Sequence, residues 1–144
     1  MNNSISKKNL IEIDIPSRMD FVSIVRMIVA AASSASNALH DERLEDLRWV
    51  TSEATTNAIE ANLLNAGGRV KVFCELNTGI VKLLVQDEGT GMPELADIEN
   101  IRDAAKADIE GSIGIPLMKH LSSVWNFTSD QKGTVVEMEL YQTG

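Results

Sequence analysis

Asp87-Glu88-Gly89-Thr90-Gly91 stands just beyond the apolar run Ile80-Val81-Lys82-Leu83-Leu84-Val85, and the end of that run decides how the chain is read. Successive side chains of a strand alternate between faces, so Asp87 shares a side with Val81, Leu83 and Val85. That side is the expected core face. A carboxylate in so poorly solvated a place is costly unless a donor meets it, and none of its immediate neighbours in sequence offers an obvious cation. The donor must come from elsewhere. Gly89 and Gly91 let the backbone take positive φ and come close to a flat object. A buried acceptor beside a loop without side chains suits the exocyclic amine and the face of a purine. An ordinary Asp-x-Gly turn uses the same residues, so the pentapeptide gains its meaning from the rest of the chain.

The 144 residues make one domain, residues 1–144, large enough to bury a core without staples. A hydrophobic content of 44% with only 4% aromatics describes an aliphatic, globular core. The formal charge of -8 and a pI near 4.7 argue against a nucleic-acid surface, which needs clustered Lys and Arg, and favour a basic protein partner. Cys74 lies in a strand-like run on the face of Val70, Val72 and Leu76 and reads as a small core residue. A single cysteine forms no disulfide within the chain, which agrees with a reducing cytoplasm. Residues 1–8 read as a flexible polar terminus without a signal-peptide pattern. The apolar stretch from Phe21 to Ala32 carries Arg26 and is well short of the ~20 residues that span a bilayer. The expectation is a cytoplasmic protein with no membrane segment.

Leu10 to Ile15 alternates as a half-buried strand, expected at a sheet edge. Ser17 and Asp20 have capping-box spacing and open a helix to about Ser36, with Phe21, Val22, Val25, Ile28, Val29 and Ala32 on one face. Ile24, Met27 and Ala31 lie off that stripe, either as a wide core face or as a surface for another chain. A second helix runs from Asp41 or the preceding linker to about Leu64. Glu53 and Asn57 stack on one of its faces, four residues apart, beside a seam of Ala54, Ala58 and Ala61 that permits close approach to a sheet. Such polar residues are commonly a helix's solvated edge. Near the strand of Asp87 they gain a chemistry: the Asn57 amide oxygen is a hard ligand for Mg²⁺, and Glu53 could take a proton from an attacking hydroxyl or water.

Val70 to Leu76 alternates as a strand, and Asn77-Thr78-Gly79 turns it into the strand that ends at Asp87. Residues 92–113 have a weak pattern and read as a lid over the site, with a short helix. Gly111-Ser112-Ile113-Gly114-Ile115-Pro116 opens a further helix whose free N–H groups suit an anion, Ile115, Leu117 and the glycine amides being the donors. Trp125 to Ser129 and Thr134 to Tyr141 form the last hairpin. Thr134 shares a face with Val136, Met138 and Leu140, so its hydroxyl can second the contact to a purine. His40 and His120 are isolated, and neither a zinc-ligand cluster nor a Gly-x-x-x-x-Gly-Lys loop occurs.

The ordered set Glu53-x-x-x-Asn57-Ala58, Asp87-x-Gly89-x-Gly91, Gly111-x-x-Gly114 and Gly133-Thr134 resembles the GHKL ATPase superfamily of gyrase, histidine kinases and heat-shock chaperones. Each motif is weak by itself; the four in this order are specific and span Leu10 to Tyr141. The small size, the short lid and the lack of a phosphoacceptor-histidine domain look most like the bacterial anti-sigma factor serine kinases of partner-switching systems. The resemblance implies an α+β fold, a two-layer sandwich of helices on a mixed, largely antiparallel sheet. It implies ATP and Mg²⁺ as cofactors, with Glu53 as general base, Asn57 as metal ligand and Asp87 as acceptor of the adenine amine. It further implies Gly89, Gly91 and Met92 in the adenine loop, Gly111, Ser112, Ile113, Gly114 and Ile115 in the phosphate loop, and Thr134 as a supporting adenine contact. The implied partners are a sigma factor or similar target, a STAS-type antagonist phosphorylated on Ser or Thr, and a second copy of the chain in a homodimer.

Three positions depart from the family pattern. Ala61 stands where His is frequent, Ser112 where Gly is frequent, and Glu110 where the kinases commonly carry a basic residue. Losing a cation that could face the γ-phosphate bears on phosphotransfer more than on nucleotide binding. A module that binds nucleotide without moving phosphate is therefore the alternative to the kinase. A histidine-kinase-like domain acting in trans is a third reading, separable by the acid lability of its product.

Overall fold

A computed structural model describes residues 7–64, 68–88, 114–130 and 133–143. After a 3-10 turn at Lys7–Asn9, strand β1 (Leu10–Pro16) runs antiparallel to β2, as its alternating pattern requires. Ile15 is buried, and Ile11 and Ile13 pack against the core, each facing an apolar partner across the ladder: Ile11 with Cys74, Ile13 with Val72, Ile15 with Val70. β1 occupies the expected sheet edge.

Helix α1 (Val22–Ala35) begins later than the capping-box reading places it, behind a 3-10 turn at Met19–Phe21. Neither turn nor helix has a side-chain cap. A tertiary partner takes Ser17 and a local one takes Asp20. Ser17 Oγ donates to the Gly68 carbonyl at 2.6 Å, and Asp20 accepts from Arg18 at 2.7 Å. Val25, Val29, Ala30 and Ser33 form the buried face. Ile28 lies outside it and is exposed together with Ile24 and Met27.

The reversal into α2 (Glu42–Leu64) uses Asn37 (φ 57°) and Asp41 (φ 54°), residue types that tolerate the left-handed region, and buries Ala38 and Leu39 between them. α2 is buried along Leu47, Val50, Thr51, Ala54, Thr55, Ala58, Ile59 and Asn62, and packs on α1, β2, β3, β5 and the later helix α3. β2 (Arg69–Asn77) and β3 (Ile80–Asp87) form a hairpin closed by Thr78 and Gly79, whose φ of 76° glycine adopts without strain. Helix α3 (Gly114–Leu121) leads into β4 (Val124–Asp130) and β5 (Gly133–Tyr141).

The sheet order is β1-β2-β3-β5-β4, and every pairing among the described residues is antiparallel. This is the two-layer α+β architecture expected. Its core is aliphatic, with Leu39, Leu47, Ile59, Leu83, Met138 and Leu140 wholly enclosed. Cys74 belongs to it, and burial pushes its thiol up to about 12 against a smaller opposing effect of the Ser33 hydrogen bond. No helix among the described residues is long and apolar enough to cross a membrane.

Candidate nucleotide site

The alternation of β3 holds to its last residue. Val81, Leu83, Val85 and Asp87 are all buried, with Asp87 4% exposed, while the residues between them are half-exposed. Across the sheet Asp87 faces buried Val70, which faces Ile15. On its other side the register Val85 to Val136 and Gln86 to Val135 brings Thr134 opposite it, and Thr134 faces Ser129 on β4. The carboxylate thus sits between an apolar side, Val70 and Ile15, and a hydroxyl-bearing one, Thr134 and Ser129. Its donor is a backbone amide: Thr134 N–H gives Asp87 Oδ1 a hydrogen bond of 3.0 Å. Gly133 makes that approach possible. A Cβ at this position would collide with the Asp87 carbonyl oxygen and stand 2.8 Å from Oδ1, and φ there is 133°. The Gly133-Thr134 pair is therefore shaped around Asp87.

Beyond Asp87 the chain is clamped by Asn62, a residue the sequence reading passed over. Asn62 is fully buried near the end of α2. Its Nδ2 donates to Ser17 Oγ at 2.8 Å and to the Arg69 carbonyl at 2.9 Å, and its Oδ1 accepts from the Glu88 backbone N–H at 3.0 Å. Glu88 Oε1 accepts in turn from Arg69 N–H at 3.1 Å. One side chain ties together the end of β1, the start of β2, the end of β3 and α2. The available signal was an asparagine four residues after Ala58 on the buried stripe, where an amide is retained only if its hydrogen bonds are made.

Glu53 and Asn57 are half-buried on α2. Their flank is identified by Arg43 on the same helix, which donates to Asp46 at 2.8 Å and to the Leu121 carbonyl at the end of α3 at 3.0 Å. At about 100° per residue, Asn57 lies within ~40° of Arg43 around the helix axis. Asn57 is thus carried toward the α3 side and Glu53, ~80° from Arg43, stands between that side and Ser52, which is bonded to Arg26 at 3.2 Å and faces α1. Buried Ala54 and Ala58 hold this part of α2 close to the sheet, as the small-residue seam predicts. α3 begins at Gly114 and Ile115, as expected, and is anchored by buried Met118. Gly89, Gly91, Met92, Gly111, Ser112 and Ile113, with the whole of the expected lid at 92–113, lie outside the described residues.

The donor set fits a magnesium nucleotide. A buried carboxylate oriented by backbone suits a purine amine, and the Asn57 amide and Glu53 carboxylate are hard oxygen donors. Among the described residues no group of three or more His, Cys, Asp or Glu side chains could hold a metal.

A sheet that ends in a buried aspartate under a helix bearing Glu and Asn defines a nucleotide-binding α+β domain. The chain belongs to the histidine kinase-like ATPase domain family, whose model matches residues 15–140. It is 31% identical over 134 residues to the anti-sigma F factor of Bacillus licheniformis, covering 91% of both chains. It is 30% identical over 135 residues to the anti-sigma F factor of Geobacillus stearothermophilus, covering 92% of both. With the serine-protein kinase RsbW of Staphylococcus aureus (strain JH9) it shares 29% identity over 86 residues, 58% of this chain and 54% of the relative.

Proposed function

We propose that this protein is an ATP-dependent serine/threonine protein kinase and anti-sigma factor of a partner-switching system, acting in the cytoplasm. What supports this reading is the family match over residues 15–140 together with a buried Asp87 held by the Thr134 N–H and half-buried Glu53 and Asn57 one turn apart on α2. Asp87 accepts the hydrogen bond of the adenine amine and Thr134 seconds it. The family pattern assigns Gly89, Gly91 and Met92 to adenine binding, and Gly111, Ser112, Ile113, Gly114 and Ile115 to phosphate binding. Asn57 would hold Mg²⁺ through its amide oxygen, and the ion would offset charge on the phosphates. Glu53 takes the proton of the attacking Ser or Thr hydroxyl on a STAS-type antagonist. ATP supplies the transferred phosphoryl group, and catalysis is mostly positioning and charge stabilisation. The exposed Ile24, Met27 and Ile28 on α1 support a contact surface for a second copy of the chain or the sigma factor.

Glu110 and Ser112 favour the second reading, a nucleotide-dependent binding module. The intact mass of the antagonist decides between them, measured before and after Mg-ATP with Glu53→Ala in parallel. One added phosphate, absent with the variant, is the expected result. ATP binding by the wild type without any mass gain would make the nucleotide a structural effector.

A further inference from the structure

We infer that Trp49 is a specificity-determining residue, the platform on which the hydroxyl-bearing segment of the protein substrate docks. The inference rests on the kinase reading and names where its second substrate lies. Trp49 is 52% exposed on α2, which is a large indole left in water. It precedes Glu53 by four residues and Asn57 by eight, so each step moves about 6 Å along the helix and ~40° around it, which makes Trp49 and Glu53 neighbours and turns the indole outward from the Asn57 flank.

The direction of that succession is fixed by Asn62. Its bond to the Glu88 backbone puts the C-terminal end of α2 beside Asp87, the nucleoside end of the site. Moving away from that end, the helix presents Asn57, then Glu53, then Trp49. A metal ligand and a base in this order leave the position beyond the base for the chain that brings the hydroxyl. Helical side chains lean toward the N-terminus, so Glu53 covers the turn in which Trp49 stands. The carboxylate and the indole border the same patch of surface.

The chemistry of the patch selects its occupant. An indole offers a wide, rigid, amphipathic contact at low entropic cost, which suits an apolar residue beside the target Ser or Thr. Exposed Glu42 and Glu45 lie on the turns before it, and Glu45 is already paired with Arg48 at 2.7 Å. An extended segment with an apolar residue next to its hydroxyl residue, and without acidic flanks, complements this surface.

The test uses the full chain and, as probes, the STAS-domain proteins of the same genome, expressed singly. Affinity is measured calorimetrically with Mg-ADP present, and transfer by steady-state kinetics, for wild type, Trp49→Ala and Trp49→Phe. The expected result for Trp49→Ala is a rise of about 30-fold in both Kd and KM, with kcat at saturating substrate held within about threefold. Trp49→Phe should recover most of the loss. An unchanged KM in a chain that still transfers phosphate would overturn the docking assignment and leave the kinase reading standing. A Trp49-dependent Kd without any transfer would support the docking assignment and end the kinase reading. A parallel fall in nucleotide affinity, or binding of none of the probes by the wild type, would overturn the assignment.

Discussion

Helix α2 has two flanks of opposite character. Toward α3 it carries half-buried Asn57, with half-buried Glu53 beside it, close to a sheet whose central strand ends in a buried carboxylate. Toward α1 it is packed through the Arg26 to Ser52 hydrogen bond, beside a cavity of about 390 Å³ lined by Met27, Ala30, Leu44 and Arg48. The outward side of α1 then shows Ile24, Met27 and Ile28 to solvent. Polar groups at a packed flank cost desolvation that aliphatic residues would avoid, and the proposed reading gives Glu53 and Asn57 a chemical reason to be there. Apolar groups in water mark the α1 side as a surface for protein. The two flanks of one helix thus differ in what they pack against and in what their neighbours expose.

Substitutions can break or sharpen that contrast. Glu53→Ala should lower phosphotransfer by about 10²–10⁴-fold while ATP affinity is kept, read by single-turnover kinetics and calorimetry. Retained transfer would remove the base from α2. Asn62→Ala strips partners from the part-buried Glu88 N–H and Arg69 carbonyl, and should cost about 2 kcal/mol in urea denaturation and weaken ATP binding through the loosened end of β3. A loss under 1 kcal/mol would show that the clamp is dispensable. On the other side, Ile24→Ser combined with Met27→Ser should weaken self-association by about tenfold in sedimentation, an effect of ~1.4 kcal/mol consistent with the apolar area removed. Unaltered nucleotide affinity in that double variant would confirm that the flanks are separate. The smallest effect is a gain. Thr51 and Thr55 have buried hydroxyls without hydrogen-bond partners among the described residues, so Thr51→Val should raise stability by about 1 kcal/mol.

How much of this was legible in sequence depended on the range of the interactions. The period-2 pattern of β3 placed Asp87 on the core face because strand geometry alone dictates it. The 3.6-residue period of α2 likewise set Glu53 and Asn57 beside the alanine seam. Ser17 and Asp20 misled, because local spacing suggested a cap while the Ser17 hydroxyl was claimed by Gly68 and Asn62, residues more than forty positions away. Ile28 fits the apolar stripe of α1, yet the structure leaves it 38% exposed, since the stripe is wider than the surface available to cover it. The Asn62 clamp needs four segments in register before its purpose can be read. The Thr134 amide that meets Asp87 is equally invisible until β3 and β5 pair.

The central claim is that Asp87 reads the purine amine, and the affinity ratio of ATP to GTP tests it most directly. Guanine places an oxygen where adenine places its amine, so two acceptors would face each other in a buried row. Calorimetry with Mg²⁺ should give a preference for ATP on the order of 10²-fold or more in the wild type. Asp87→Asn keeps an oxygen for the Thr134 N–H and gains a donor, and should shrink that preference toward unity. Equal affinities in the wild type, or a preference untouched by Asp87→Asn, would contradict the account.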